Sequence, residues 1–302
     1  MDNKKALLTG LAAILLWSTA GTAFKLTLRY LGPLQTVFYS SLASTAVLAI
    51  IGFFRKGYTG FHVPKFRSLL PSAAYGLLNP LLYYSILFFA YDQLLAQEAL
   101  VLNYAWPLLL AVIFLIQDRQ APKIGSIFAF LLSIAGVVLV AAGPNISGYQ
   151  FSSPLGIAAA LSSALIWALY WFANNFDPMQ PLDRLFWNFL FGSFYMGIFL
   201  LLSGGFQVPS LYGIAGSIYI GLFEMGITFA LWITALKGAH QKTLLSNLVY
   251  ISPFLSLVWI NIVLKEPLYW TSLLGLVIIL SGILLQHRSS KKQHKVEVNT
   301  DV

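Results

Sequence analysis

The chain has 302 residues, of which 58% are hydrophobic and only 9% are charged, with a mean hydropathy of +0.77. Soluble domains carry roughly 25% charged residues, so this composition excludes an ordinary soluble enzyme and indicates many membrane-spanning segments. The sequence has no cysteine, which excludes disulfides and thiolate chemistry, and its four histidines lack the spacing of metal ligands. The net charge of +8 comes from basic residues beside the apolar segments, so we expect no nucleic-acid partner.

Ten segments are apolar enough to cross a membrane as helices, which requires about 20 residues each. They lie at 6–28, 33–54, 69–91, 94–116, 124–142, 155–175, 185–203, 211–236, 243–264 and 268–286. Their connections are short and contain turn formers, such as LGP at 31–33 and DPMQP at 177–181. The sequence therefore predicts an all-α polytopic membrane protein with ten transmembrane helices, followed by a disordered polar tail at 288–302.

The distribution of lysine and arginine predicts the orientation of these spans. With the N-terminus in the cytoplasm, 15 of the 18 basic residues fall on the inner side, and only Lys25, Arg29 and Lys265 fall near the outer side. An excess of positive charge marks cytoplasmic loops. Both termini are therefore predicted to be cytoplasmic.

The two halves of the chain share a set of residues in the same order, and the tyrosine, the first proline and the glycine are equally spaced in both. The first half has Trp17, Tyr104, Pro107, Pro122 and Gly136, and the second has Trp167, Tyr250, Pro253, Pro267 and Gly282. We interpret residues 1–150 and 151–287 as two repeats of five spans, with 288–302 as the tail. Because five is odd, the second repeat enters the membrane from the opposite side, and such inverted repeats place a site between the halves.

The predicted eighth span contains an acidic residue, Glu224, within the string GLFEMGITFALW. A carboxylate in a transmembrane segment is costly and marks a candidate functional site. Thr228 and Trp232 follow at i+4 and i+8, so a continuous helix would place the three on one face. We expect this stripe to bind substrate, with Glu224 also able to exchange a proton. The alternative is an acid that holds two helices together by a hydrogen bond.

A second acidic residue, Glu98, lies in the predicted fourth span, and Lys25 lies in the outer part of the first. An ion pair between them would lower the cost of burying both charges, so it is a candidate outer gate. The alternative is that Lys25 extends its side chain to the membrane interface.

Prolines interrupt three of the predicted spans beside amide and aromatic side chains. Pro107 cannot donate to the carbonyl group of Asn103, which leaves that carbonyl available to a ligand. Candidate substrate-binding residues are Asn79, Tyr83 and Tyr84 near Pro80; Asn103 and Trp106 near Pro107; Trp167 and Tyr170; and Asn247 and Tyr250 near Pro253. The alternative is that these aromatic residues face lipid or fill the core, since aromatics make up 15% of the chain. Runs of small residues at 40–44 and 136–143 predict close helix packing.

The chain resembles the EamA family of the drug/metabolite transporter superfamily. The resemblance is carried by LLWSTAGTAFKL in the first span, by Pro107, Pro122 and AGVVLV at the end of the first half, and by KEPLYWTSLLGLVIILSGILL near the end of the second. Within the family, LLWST and QEALVLNYAWP are most similar to bacterial aromatic amino-acid exporters of the YddG type. The resemblance implies a carrier in the bacterial cytoplasmic membrane.

The leading hypothesis is a secondary active transporter, functional as a monomer in the lipid bilayer, that exports a small organic metabolite by alternating access. An amino acid, with aromatic ones as candidates, is the expected substrate, H⁺ is a candidate coupling ion, and we expect no cofactor or metal. The alternatives are a carrier for another metabolite or a drug-like cation, an intramembrane enzyme that acts on lipid-linked substrates, and a channel. We expect no enzyme activity because no histidine lies in mid-span and the two acids lie at different depths. No GxxxxGK[ST] motif occurs, so ATP is not expected to be the energy source.

Overall fold

A computed structural model describes residues 3–56, 66–117, 119, 124–143, 153–239, 245 and 248–300. In these ranges all regular elements are helical. Eight segments are long and apolar enough to cross a membrane, and two further apolar segments, Val249–Leu264 and Trp270–Gln286, are shorter. The predicted all-helical polytopic class is confirmed, whereas the count of ten spans and the orientation of the termini stay predictions.

The described α-helices are numbered here in chain order. They are α1 Asn3–Ser18, α2 Ala20–Leu28, α3 Pro33–Lys56, α4 Phe66–Gly76, α5 Tyr83–Gln93, α6 Ala96–Asn103, α7 Trp106–Gln117, α8 Ile124–Ala142, α9 Pro154–Asn174, α10 Pro181–Leu202, α11 Leu211–Phe223, α12 Ile227–Gly238, α13 Ser252–Trp259 and α14 Trp270–Thr300. Two π-helical segments, Leu77–Leu82 and Ile260–Leu264, and a 3₁₀ turn, Val249–Ile251, complete the set. The last helix continues to Thr300, and the disorder predicted for the tail at 288–302 stays a prediction.

Local sequence signals explain where several of these helices begin. The Ser153 and Ser210 side chains accept hydrogen bonds from the backbone N–H groups of Gly156 (3.1 Å) and Gly213 (3.0 Å), so they cap α9 and α11. Proline occupies the first turn of α9 and α10, where its missing N–H group costs nothing. These signals place the helix starts where the sequence predicts connections.

Small residues let neighbouring helices approach closely, as the sequence predicts for 40–44 and 136–143. A Cβ atom on Gly221 of α11 would lie 2.3 Å from the carbonyl oxygen of Ser40 in α3. A Cβ atom on Gly136 of α8 would lie 2.8 Å from the carbonyl oxygen of Gly275 in α14. Such backbone contacts are typical of helix association in membranes. They pack α3 against α11 and α8 against α14.

Candidate functional site

Several spans are interrupted near their middle. The first is broken at Thr19, the third at 77–82, the fourth at Tyr104–Ala105 and the eighth at 224–226, and in the ninth a 3₁₀ turn at 249–251 precedes α13. Asn79 inside the third span has extended backbone angles (φ −142°, ψ 117°), and the peptide bond from Asn79 to Pro80 is cis. Irregular backbone at membrane depth is tolerated where it is buried in protein or lines a cavity.

These interruptions surround one cavity of about 350 Å³. It is lined by residues from both halves of the chain, and most of them are aromatic or apolar. The lining comprises Trp17, Ala20, Gly21, Phe24, Tyr83, Leu87, Tyr91, Leu100, Asn103, Tyr104, Trp106, Pro107, Leu110, Trp167, Trp171, Glu224, Phe229, Trp232, Val249, Tyr250, Ser252 and Ser256. This volume is in the range of pockets that hold small organic ligands.

Glu224 is the acidic side chain among these lining residues, and no lysine, arginine or histidine is among them. It lies at the C-terminal end of α11, where the helix breaks before α12. Its Oε1 atom accepts a hydrogen bond from the Tyr84 hydroxyl group (3.1 Å), and its backbone oxygen accepts one from Trp17 Nε1 (3.3 Å). Contacts from two other spans therefore fix the position of the carboxyl group beside the cavity.

Aromatic rings form a continuous wall on one side of the cavity. Tyr83 and Trp167 stack with centroids 4.4 Å apart and an interplanar angle of 23°, and Trp167 and Tyr170 stack at 5.5 Å and 23°. Trp106 stacks on Trp171 at 6.4 Å. Flat aromatic faces of this kind accept apolar or aromatic groups.

Asn103 supplies an amide group to the same cavity. Its Nδ2 atom donates to Ser163 Oγ (2.9 Å), and its Oδ1 atom accepts from the Tyr83 hydroxyl group (3.4 Å). The amide is therefore held between α9 and α5, with its orientation set by both contacts. Trp106 and Tyr250, two further predicted site residues, also line the cavity.

The predicted stripe of Glu224, Thr228 and Trp232 is interrupted because the helix is not continuous. Glu224 and Trp232 line the cavity, whereas Thr228 is buried and its hydroxyl group donates to the backbone oxygen of Phe223, across the break. The sequence gives a cue for this break in Gly226, whose backbone is non-helical (φ −117°, ψ −85°).

Four other predicted residues lie outside the lining of the cavity or outside the described structure. Tyr84 is buried and donates to Glu224, Tyr170 is buried and stacks on Trp167, and Asn79 is fully buried. Asn247 falls outside the described residues. Each role in substrate binding stays a prediction.

The predicted helix-breaking prolines lie at or beside interruptions. Pro80 is inside the π-helical segment 77–82, Pro107 is the second residue of α7, and Pro253 is the second residue of α13. In α7 and α13 the proline therefore occupies the first turn after an interruption, a position that needs no N–H donor.

Lys25 and Glu98 lie together at one end of the bundle, which we call the clamp end. The Lys25 Nζ atom donates to the backbone oxygens of Tyr91 and Leu94, at 2.6 Å each. The Glu98 Oε2 atom accepts from the backbone N–H group of Leu95 (3.2 Å). Both side chains thus hold the turn between α5 and α6, and their direct ion pair stays a prediction.

The same turn is tied to the segment that precedes α14. Both carboxylate oxygens of Glu266 accept from the Ala96 N–H group, at 3.2 and 3.0 Å. Gln97 is buried, donates to the Pro267 oxygen (2.7 Å) and accepts from the Tyr269 N–H group (3.0 Å). These contacts connect α6 to the segment before α14 at the clamp end. Away from the clamp end, the lining of the cavity continues to Leu110, Trp171 and Trp232.

Sequence reasoning missed several lining residues. Trp17 and Tyr104 are predicted from the sequence only as markers of the repeat, and their matched positions, Trp167 and Tyr250, also line the cavity. The repeat itself was therefore the signal that identifies them. Tyr91, Trp171, Ser252 and Ser256 had no such signal, because helix rotation decides which residues face inward.

Comparisons with known proteins bear on the family and on the fold of the chain. The EamA-like transporter family matches residues 4–142 and 154–286. An uncharacterized transporter from Archaeoglobus fulgidus is 24% identical over 98% of this chain and 100% of its own length. The aromatic amino acid exporter YddG from Escherichia coli is 25% identical (94% of this chain, 97% of its own), and that from Ancylobacter novellus is 26% identical (85% and 88%). A solved crystal structure with 23% identity aligns with a TM-score of 0.66 over 97% of this chain and 99% of that chain, which shows a shared fold.

Proposed function

The chain belongs to the EamA-like transporter family, and on this premise we propose that it is a secondary active exporter of amino acids with large apolar or aromatic side chains. The observation that carries the proposal is the cavity, in which the single carboxylate of Glu224 lies beside a wall of aromatic rings. A carboxylate binds an ammonium group through a charge-assisted hydrogen bond, and aromatic faces bind the side chain. The YddG relatives, named as aromatic amino acid exporters, support this substrate class.

Neutral polar groups are available for the carboxylate of an amino acid. Tyr250, Ser252 and Ser256 line the cavity with hydroxyl groups, and Asn103 adds an amide. None carries a positive charge, so binding at this end of the substrate rests on hydrogen bonds alone. This same observation favours a second candidate, a carrier for amines or drug-like cations that lack a carboxylate.

We further propose that the two halves form inverted repeats that alternate access to the cavity, with both termini in the cytoplasm of a bacterial cell and the protein acting as a monomer. Two repeat-matched pairs support this: Trp17 with Trp167, and Tyr104 with Tyr250, all on one cavity. The matched glycines support it as well, because Gly136 contacts α14 and Gly282 contacts α8 within one helix pair. In this orientation the clamp end faces outward and the cavity is reached from the cytoplasm.

The experiment that tests the function is uptake of radiolabelled amino acids into proteoliposomes that contain the purified chain. We expect saturable flux of phenylalanine, tyrosine or tryptophan, stimulated by the same amino acid on the opposite side of the membrane. An imposed pH gradient tests whether H⁺ is coupled. Flux of an arylalkyl amine without flux of any amino acid would replace the leading proposal with the cation carrier, and absence of both would contradict this site assignment.

Opening of the clamp end can be measured separately from transport. The chain has no cysteine, so Ser256→Cys supplies a single thiol inside the cavity. Adding Gln97→Ala removes two hydrogen bonds between α6 and the segment before α14, and we expect the thiol to react several-fold faster with an impermeant maleimide added from outside. Gln93→Ala is the matched control, because Gln93 is exposed and its side-chain amide donates to the neighbouring Asp92 carboxylate rather than across the clamp end. Equal labelling rates in both double variants would contradict the proposal that the Gln97 hydrogen bonds keep the clamp end closed.

A further inference from the structure

A second polar cluster is buried behind the aromatic wall of the cavity. It consists of Asn79 in the π-helical segment 77–82, Tyr170 and Asn174 on α9, and Asn188 on α10. Their side chains are 0%, 4%, 6% and 0% exposed, respectively. Four such polar side chains packed together at membrane depth are costly unless their hydrogen-bonding groups are used.

The hydrogen bonds within the cluster use the amide nitrogens of Asn174 and Asn188 but no amide oxygen, and the Asn79 Nδ2 atom also has no partner among the described residues. Asn188 Nδ2 donates to the Tyr170 hydroxyl group (3.0 Å), and Asn174 Nδ2 donates to the Tyr170 backbone oxygen (2.6 Å). The side chains of Asn79 and Asn174 also approach the Tyr170 hydroxyl group. The Oδ1 atoms of all three asparagines are buried and have no hydrogen-bond partner among the described residues. Three buried amide oxygens without a partner call for a small group that carries positive charge or donates hydrogen bonds.

Close backbone packing limits the size of that partner. A Cβ atom on Gly76 would lie 2.8 Å from the Asn188 backbone oxygen, and one on Gly192 would lie 2.4 Å from Pro80 Cδ. The third span and α10 are therefore in direct contact next to the cluster. This close packing favours a partner no larger than a small ion or a water molecule.

The chemistry of the cluster suits a monovalent cation. Amide, hydroxyl and carbonyl oxygens are hard neutral ligands, and unwound helix segments in transporters supply such oxygens to Na⁺. No carboxylate belongs to the cluster, whereas Ca²⁺ and Mg²⁺ sites use carboxylates. Arg184 lies nearby, since its NH1 atom donates to the backbone oxygens of Asn174 (2.9 Å) and Asp177 (3.4 Å). Its positive charge repels any cation, and it repels a divalent ion more strongly than a monovalent one.

We propose that Asn79, Tyr170, Asn174 and Asn188 form a binding site for Na⁺. The site is linked to the cavity by direct contact, because Tyr170 stacks on Trp167 and Trp167 stacks on Tyr83, both of which line the cavity. An ion that fixes Tyr170 therefore fixes the wall against which a substrate packs. The Na⁺ site itself does not depend on the identity of that substrate.

The test is the apparent Tm of the purified full-length chain in detergent without substrate, with unfolding monitored by tryptophan fluorescence. NaCl replaces N-methylglucamine chloride at constant ionic strength, and KCl is run in parallel. We expect Na⁺ to raise the Tm by about 2–4 °C in a saturable manner, and Asn79→Ala to abolish the shift. Asn188→Asp adds a carboxylate to the site, and we expect it to lower the Na⁺ concentration for half of the shift about tenfold.

Asn261→Ala is the matched control, because Asn261 lies near the clamp end and donates to the Glu266 backbone oxygen. It is expected to keep the wild-type Na⁺ response. If Asn79→Ala does not fold, Asn188→Asp alone still tests the site, since a structural role would not give tighter Na⁺ binding. Identical melting curves in all three salts would mean that the cluster holds water only, and an unchanged Na⁺ response in Asn188→Asp would place any ion elsewhere. Either result overturns the proposal.

Discussion

Replacing Glu224 by Gln is expected to lower the transport of amine-bearing substrates about 10- to 100-fold, the range of a lost charge-assisted hydrogen bond. The substitution preserves the size of the side chain and its contact with Tyr84 but removes the single carboxylate of the cavity lining. If Glu224 also carries the coupled proton, the variant loses its response to an imposed pH gradient. Initial uptake rates in proteoliposomes, measured with and without the gradient, test both expectations.

Tyr84→Phe is the control for this substitution. It removes the hydroxyl group that donates to Glu224 Oε1 and leaves the negative charge in place. We expect a several-fold effect on transport with the pH response retained, since a neutral hydrogen bond contributes less than a charge. Equal rates and equal pH responses in wild type and Glu224→Gln would show that the carboxyl group serves packing between helices, the alternative that its sequence position leaves open.

Replacing Gly221 by Val is expected to lower the Tm by about 5–10 °C, because overpacking in a closely packed interior costs about 1–3 kcal/mol or more. The added Cβ atom would lie 2.3 Å from the Ser40 oxygen, 2.6 Å from the Ala43 Cβ atom and 3.0 Å from the Ser44 nitrogen. Two of these three atoms belong to the backbone of α3, so they cannot move aside by rotating a side chain. The helices must separate, and the measurement is the thermal unfolding of the purified variant.

Gly32→Ala is the control, because nothing lies within 4 Å of a Cβ atom at that position. It is expected to leave the Tm within about 1 °C of wild type. A Gly221→Val variant as stable as Gly32→Ala would mean that α3 and α11 tolerate a wider separation than the structure describes.

Glu224, Thr228 and Trp232 are predicted to share one helix face, but in the structure only two of them line the cavity. Their spacing assigns them to one face of a helix, but that rule holds only while the helix is continuous. The break at 224–226 rotates α12 relative to α11, so that Thr228 faces a backbone carbonyl group while the other two face the cavity. The prolines, by contrast, act locally, and Pro80, Pro107 and Pro253 lie at interruptions as predicted.

The sequence by itself determined the class of the protein. In lipid, the backbone N–H and C=O groups of a long apolar segment must be hydrogen-bonded within the protein, and an α-helix achieves this within the segment. The helical polytopic class therefore follows from the composition and length of the apolar segments. It also determined that Glu224 and the amides near prolines are candidates, because a polar group in such a segment carries a cost. These properties depend on neighbours along the chain.

The tertiary structure alone decided which of these residues meet. Tyr84 and Glu224 are in contact although they are 140 positions apart. The asparagines of the proposed Na⁺ site come from three helical segments, and no local sequence pattern predicts that these segments meet. Helix rotation and packing set such contacts, and in a membrane they depend on small residues and shape rather than on a hydrophobic face that periodicity reveals. For the same reason no sequence pattern predicts the hydrogen bonds that Gln97 and Glu266 make at the clamp end.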